Sequence, residues 1–331
     1  MPCFNASVTL DMAVESILAG TFSNFELVVV DDGSTDDTAA RLQGWAGRDA
    51  RVRPIQREHA GIIPALNAGL AACRAPLVAR MDADDRAHPE RLERQVAWMD
   101  ANPDVTVLGS LVEGFPFGDV GGGFQAYLGW MNRLVDHESI VREIFIESPL
   151  AHTSVTFRLR RVAALGGYQE RGWPEDYDLW LRLYLAGARF AKVPEVLLYW
   201  REHADRLTRT DSRYAVSRFL RAKAHYLMLG PLKGREAVII WGAGQMGRRI
   251  AKHLDREGAP LTAFIDIDPS KIGREKRGKP ILAPDALPGE LARYENPVVL
   301  AAVGSRGARA LIRERLSGMG LREGVDWWAV A

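Results

Sequence analysis

Leu27-Val28-Val29-Val30 is a run of four large apolar residues that stops abruptly at Asp31-Asp32-Gly33-Ser34. A run so short and so continuously apolar reads as a strand buried on both faces, the habit of parallel sheets covered by helices. Leu77-Val78-Ala79-Arg80-Met81 repeats the pattern and ends in Asp82-Ala83-Asp84-Asp85. A helix is expected after the first cluster, capped by Ser34 or Thr35, and another after the second with Pro89 in its first turn. Strand, acids and helix, twice over, predict an α/β fold with a mainly parallel sheet. Ligands of such sheets bind beyond the carboxyl ends of the strands, where both acidic clusters fall.

The start of the chain departs from this pattern. Met1-Pro2-Cys3-Phe4-Asn5 leads straight into an amphipathic helix carrying Val14, Ile17 and Leu18, with no strand ahead of it. A doubly wound domain opens on a strand. Either Met1 is an internal methionine and the first strand lies upstream, or the fold does without one.

A length of 331 residues suggests two domains, and Gly230-Pro231-Leu232-Lys233-Gly234 punctuates a boundary between blocks 1–229 and 235–331. The second block opens with a strand, Ala237 to Trp241. Gly242, Gly244 and Gly247 follow as GxGxxG, then a helix to about Asp255, and a second strand ends at Asp266. This is the dinucleotide fingerprint in its proper setting. It predicts a small Rossmann-like module holding NAD(P) or another nucleotide through Gly242, Gly244, Gly247 and Asp266; a glycine turn kept for packing explains the same residues equally well. No Tyr-x-x-x-Lys pair accompanies it, which argues against a sugar-nucleotide oxidoreductase.

A net charge of +1 provides no field to gather nucleic acid. Two cysteines, Cys3 and Cys73, imply neither a disulfide framework nor a zinc site. No apolar run approaches the ~18 residues of a membrane span, and no signal peptide is visible. The expected location is the cytoplasm. Arg206, Arg209, Arg213, Arg218, Arg221 and Lys223 interleave with Phe219, Leu220 and Leu227. Such a helix either packs on its own domain or lies peripherally on an anionic membrane.

The acids carry the chemistry. Asp31-Asp32-Gly33-Ser34 can meet a base or ribose, or can simply cap a helix. Asp82-Ala83-Asp84 points two carboxylates at one spot, as Mg²⁺ or Mn²⁺ with a diphosphate requires; a solvated acidic turn is the plainer reading. Glu175-Asp176-Tyr177-Asp178 opens a helix rich in leucine around Trp180, where acids suit the dipole and one flanked by aromatics can act as a general base.

Taken in order, the motifs resemble the family 2 glycosyltransferases of GT-A fold. They are Glu26-Leu-Val-Val-Val-Asp-Asp-Gly-Ser-Thr-Asp36, Ala65-Leu-Asn-Ala-Gly69, Ala79-Arg-Met-Asp-Ala-Asp-Asp85 and Pro89-Glu-Arg-Leu92. Gly166-Gly-Tyr168, Glu175-Asp-Tyr-Asp-Leu-Trp-Leu-Arg182 and Trp200-Arg-Glu-His203 complete the set. The resemblance implies that Asp31, Asp32 and Asp82 hold the donor nucleotide, that Asp84 with His203 binds the metal, and that Asp176 is the catalytic base. It places Glu175 and His152 toward the acceptor, although His152 also reads as a structural histidine. It further implies an inverting transfer from a nucleotide-sugar donor, UDP-linked, to a glycan or lipid-linked acceptor in polysaccharide or glycoconjugate synthesis. Gly20 and Trp200 depart from the Gln and Tyr usual in relatives. Specificity is expected in the loop from Gly114 to Trp130. A nucleotidyltransferase would carry a glycine-rich loop after its first strand, and none is present. The intact Asp82, Asp84 and Asp176 argue against a degenerate binding protein.

Overall fold

The computed structural model describes residues 1–116, 121–305 and 307–331. Its strands are β1 (Pro2–Cys3), β2 (Leu27–Asp31), β3 (Val52–Gln56), β4 (Leu77–Ala79), β5 (Arg86–Ala87), β6 (Val105–Phe115), β7 (Thr156–Arg158), β8 (Arg189–Arg201), β9 (Ala237–Trp241), β10 (Leu261–Ile265), β11 (Glu275–Lys276), β12 (Lys279–Leu282), β13 (Pro297–Ala301) and β14 (Trp327–Ala329). Its helices are α1 (Leu10–Leu18), α2 (Thr38–Arg48), α3 (Ile62–Ala72), α4 (Arg91–Ala101), α5 (Gly122–Met131), α6 (His137–Glu143), α7 (Leu159–Ala164), α8 (Glu175–Leu185), α9 (Leu207–Thr210), α10 (Val216–Leu229), α11 (Gln245–Arg256), α12 (Leu287–Leu291) and α13 (Ala308–Gly318). Two compact units result. The first comprises Met1–Ile140, Pro149–Arg171 and Glu175–Thr210; the second comprises Val141–Ser148, Gly172–Pro174 and Asp211–Ala331.

In the first unit β1, β2 and β3 form a parallel sheet, with Cys3 opposite Asp31 and Asp31 opposite Gln56. All five residues of β2 are buried, as a continuous apolar run in a covered sheet requires. The second sheet runs β4-β7-β6-β8-β5; it is mixed, with β6 and β8 parallel and the other pairs antiparallel. A strand therefore does precede α1, against the sequence expectation. Pro2 and Cys3 pair with Val30 and Asp31, and the Met1 ammonium donates to Val28 O at 2.9 Å. Two residues are too few to leave a readable apolar run. A cavity of about 390 Å³ lies between β2 and β4, lined by apolar side chains such as Val28, Leu66, Leu77 and Phe157.

The helix expected at Ser34 or Thr35 begins later, at Thr38. Asp31 Oδ1 accepts the Ser34 N–H at 3.0 Å, folding the acids into a turn of their own. Asp36 Oδ1 then accepts the Thr38 N–H, also at 3.0 Å.

In the second unit the sheet order is β11-β12-β10-β9-β13-β14. Apart from the hairpin strand β11, all neighbours are parallel. In chain order the parallel strands stand third, second, first, fourth, fifth, the arrangement found in doubly wound nucleotide-binding sheets. The division between units falls at Thr210 and not at 230–234. The reason is α10, whose buried face contains Leu220, Ala224 and Leu227. Its buried Lys223 donates to Ile146 O and to Val330 O, and Arg221 lies 5.3 Å from the Trp173 ring centre. The basic helix thus turns its apolar side into its own unit. Among the described residues no helix is long and apolar enough to cross a membrane.

Candidate active site

Beyond the end of β4 the chain turns sharply, and Asp82, Asp84 and Asp85 each bring a ligand atom within 4.8 Å of the others. Burial pushes the Asp84 carboxyl above its ordinary value and Asp82 adds to the push, while His203 opposes it. Asp85 is driven well above its ordinary value by burial, then by Asp82 and Asp84. Carboxylates so crowded, one of them fully buried, favour a cation or a proton.

The C-terminal end of β8 closes the site. Asp85 Oδ1 accepts the Arg201 N–H at 2.8 Å, and the Arg201 side chain donates to Asp84 O at 2.8 Å. His203 Nε2 lies 3.1 Å from Asp84 Oδ2, so the two residues expected at the metal meet. Asp85 was not anticipated; the third acid of Asp82-Ala-Asp-Asp85 was its signal. Its Oδ2 is buried and has no hydrogen-bond partner among the described residues. An orphaned carboxylate oxygen, two further carboxylates and an imidazole suit Mg²⁺ or Mn²⁺.

Asp31 and Asp32 sit at the parallel edge of the first sheet, but their carboxylates turn inward. Both are buried, at 2% and 3% exposure. Asp32 accepts N–H bonds from Gly61 at 2.7 Å and Ala60 at 3.3 Å, with Arg57 Nε at 3.3 Å and His59 Nδ1 at 2.9 Å. Gly33 makes the turn possible: its φ is +75°, and a Cβ there would stand 2.6 Å from His59 N. What faces outward beside Asp32 is an aromatic pair, Phe4 stacked on His59 at 4.1 Å, with Phe4 46% exposed. Sequence reasoning singled out neither residue.

The third cluster opens α8. Asp176 is half-buried at the helix start, while Asp178 is fully buried and pairs with Arg182 at 2.7 Å. Glu175 is also buried. Tyr168 links this helix to the cluster of Asp82, Asp84 and Asp85. Burial raises its hydroxyl pKa, Arg80 opposes, and Glu175, Asp176 and Asp82 raise it further, so all four charges lie within electrostatic reach of one ring. The Asn67 side chain clamps the Tyr168 backbone on both sides, donating to its carbonyl and accepting its N–H, each at 2.9 Å. This explains two of the quoted motifs, Ala65–Gly69 and Gly166–Tyr168, as halves of one joint. His152, read either as an acceptor-side or as a structural histidine, is an interior residue. It is 8% exposed, its Nε2 lies 2.7 Å from the Tyr168 hydroxyl, and burial holds its pKa well below the ordinary range.

The stretch expected as a specificity loop is largely ordered structure. β6 continues to Phe115 and α5 spans Gly122–Met131, while 117–120 lie outside the described residues. Phe124 and Tyr127 of α5 meet Trp200 at 5.2 Å and 6.4 Å, and the Arg206 guanidinium sits 4.4 Å from the Trp200 ring centre. Asp85, Asp82 and Asp84 all act on the half-buried Arg206, which is itself paired with Glu202 at 2.5 Å, so this ion pair stands beside the acids on the aromatic side. Phe124 and Tyr127 stand i, i+3 apart, but the glycines around them concealed this helix.

In the second unit, the glycines hold β9 against α11. A Cβ on Gly247 would fall 1.7 Å from Gly242 O, and Gly242 itself has φ +116°. Asp266, expected at the nucleotide, is only 7% exposed. Its Oδ2 accepts the Ala243 N–H at 2.9 Å, and Lys271 lies 3.3 Å away. The acid braces the glycine turn, and its carboxylate is occupied.

Comparison with known proteins bears on the first unit. Residues 1–165 match the family model described as glycosyl transferase family 2. The amylovoran biosynthesis glycosyltransferase AmsE of Erwinia amylovora is 34% identical over 201 residues, which is 59% of this chain and 71% of that protein. The UDP-Gal:alpha-D-GlcNAc-diphosphoundecaprenol beta-1,3-galactosyltransferase of Escherichia coli is 28% identical over 235 residues, 70% of this chain and 82% of that one. Among solved structures, S. aureus TarS 1-349 in complex with UDP-GlcNAc shares the fold, with a TM-score of 0.56 at 19% identity over 77% of this chain and 70% of that one. The acid cluster at a strand end, α8 with its acidic start and the extent of these matches agree: the chain belongs to the family 2 glycosyltransferases.

Proposed function

We propose that this glycosyltransferase moves a sugar from a UDP-linked donor to an acceptor hydroxyl with inversion at the anomeric carbon, in a reaction that depends on Mn²⁺ or Mg²⁺. The observation that carries this reading is the cluster of Asp82, Asp84 and Asp85 within 4.8 Å, with His203 against Asp84. Asp84 and Asp85 with His203 would hold the cation, which would supply charge neutralisation for the departing nucleoside diphosphate. Asp31 and Asp32 shape the base pocket through the loop they brace, and the exposed Phe4–His59 pair offers a stacking face for the base. Asp82, 31% exposed at its side chain, turns its free edge to the donor.

Asp176 stands at the start of α8, half-buried, with one oxygen fixed by the Tyr177 N–H at 2.7 Å. Its other oxygen takes the proton of the acceptor hydroxyl as the hydroxyl oxygen attacks the anomeric carbon from the face opposite the leaving group, and the nucleoside diphosphate departs. Glu175 beside it belongs to the acceptor side. Relatives named for amylovoran and for a diphosphoundecaprenol-linked acceptor support a glycan or lipid-linked acceptor in surface polysaccharide assembly, with peripheral membrane contact. Domain by domain, the transferase machinery occupies the first unit, and the second is a Rossmann-like module.

Asp176→Asn tests the assignment. It keeps an oxygen for the Tyr177 N–H and removes the base. Transfer should fall by about 10²–10⁴-fold, while UDP affinity by calorimetry stays unchanged. Transfer at the wild-type rate refutes the role of Asp176.

A further inference from the structure

The three clustered acids are not equivalent, and the residue that distinguishes them is Arg80. Its side chain is 7% exposed, and its Nη1 stands 2.5 Å from Asp82 Oδ2. That is its one ion pair among the described residues, and its buried Nε and Nη1 make no hydrogen bond among them, so the attachment to Asp82 is one of charge. An arginine retained for packing would spend its donors on nearby carbonyls; this one is directed at a single carboxylate. Its backbone is also fixed. Arg80 N donates to Val155 O at 2.8 Å, and the fully buried Arg91 donates to Arg80 O at 2.7 Å. Arg91 is in turn held by Gln95, whose amide reaches Ser154 O at 2.8 Å. The neighbouring Thr153 hydroxyl accepts the Asp82 N–H at 3.1 Å. A buried polar relay thus ends on both the side chain and the backbone of Asp82.

We propose that Arg80 is a positioning residue which withholds Asp82 from the cation and presents it to the donor nucleotide, leaving Asp84 and Asp85 with His203 as the cation's protein ligands. With Asp82 Oδ2 committed to Arg80, one of the three negative charges is answered from within the protein. Asp84 and Asp85, which have no guanidinium ion-pair partner among the described residues, would then hold the cation and leave positions for substrate oxygens. A third protein carboxylate would compete with the substrate for those positions. The proposal rests on the reading of the acid cluster as a cation site.

The test is Mn²⁺ binding to the full chain without nucleotide, followed by electron paramagnetic resonance, with UDP affinity measured separately. Asp82→Asn should leave Mn²⁺ affinity within about threefold, whereas Asp84→Asn should lower it by about a hundredfold. Arg80→Met should tighten Mn²⁺ binding by about tenfold by freeing Asp82, and should weaken UDP binding. Arg80→Lys should restore both, and the gain from Arg80→Met should vanish in the Asp82→Asn background. An Asp82→Asn loss as large as that of Asp84→Asn overturns the proposal, and this arm stands even where Arg80→Met does not fold. Wild-type protein that binds no Mn²⁺, alone or with UDP, would refute the cation-site reading itself and the proposal with it. Mn²⁺ binding that weakens in Arg80→Met together with UDP binding would reduce Arg80 to a structural residue.

Discussion

Asn67→Ala should damage the active site without touching a charged residue. Asn67 makes two hydrogen bonds to the Tyr168 backbone, each of 2.9 Å. Removing the amide leaves a half-buried N–H and C=O unpaired, at about 1–3 kcal/mol each where water does not replace the partner. Partial access of water favours the low end, so a total loss of about 2–4 kcal/mol is expected. For a unit of this size the unfolding midpoint should fall by roughly 5–12 °C. Tyr168 would lose its fixed place among Arg80, Asp82 and Asp176, so transfer should fall further than stability alone explains at a temperature where the variant is folded. Asn67→Asp keeps the acceptor and loses the donor, and should retain about half the loss. Urea unfolding and initial transfer rates on the three proteins measure both effects. A variant Asn67→Ala within about 0.5 kcal/mol of wild type, with full activity, would show that the joint does not organise the site.

Gly247→Ala should disrupt the second unit, because its Cβ would fall 1.7 Å from Gly242 O; a cost above ~4 kcal/mol is expected, seen as fast amide exchange in β9 and α11, and wild-type exchange there would contradict the packing role. Asp85→Asn should show the pH dependence of the crowded acids. The folded state raises the Asp85 pKa well above its ordinary 3.8, so between those two values the folded protein binds more protons than the unfolded chain and the Asp85 contribution to stability declines as pH rises. The variant lacks this decline and should gain on the wild type from pH 3.8 upward through the raised value. Urea unfolding from pH 4 to 8 without metal checks the sign.

The sequence made the acids legible because they follow apolar runs too short for anything but buried strands. Asp84 and His203, 119 residues apart, could be paired only through the family resemblance, and the structure brings them to 3.1 Å. What the sequence hid has definite causes. β1 holds two residues, too few for a period. α2 starts later because the Ser34 hydroxyl, expected to cap it, accepts the Asn5 N–H instead. α5 was concealed by its glycines, and with it the aromatic contacts to Trp200. His152 and Asp266 look chemical as letters, yet burial and the neighbours Tyr168 and Ala243 make them internal braces. The unit division was misplaced because Gly230–Gly234 looks like a linker, whereas the packing of α10 decides where the second unit begins.

The most direct measurement is the unfolding midpoint of wild type and Asp84→Ala with UDP, GDP, dTDP and CDP, each with and without Mn²⁺. One nucleotide, UDP on the present account, should stabilise the wild type only when Mn²⁺ is present, by about 2.7 kcal/mol at a hundred times its dissociation constant. Asp84→Ala should lose that stabilisation. No response to any nucleotide, or an equal response in Asp84→Ala, would contradict a cation-dependent donor site at Asp82, Asp84 and Asp85.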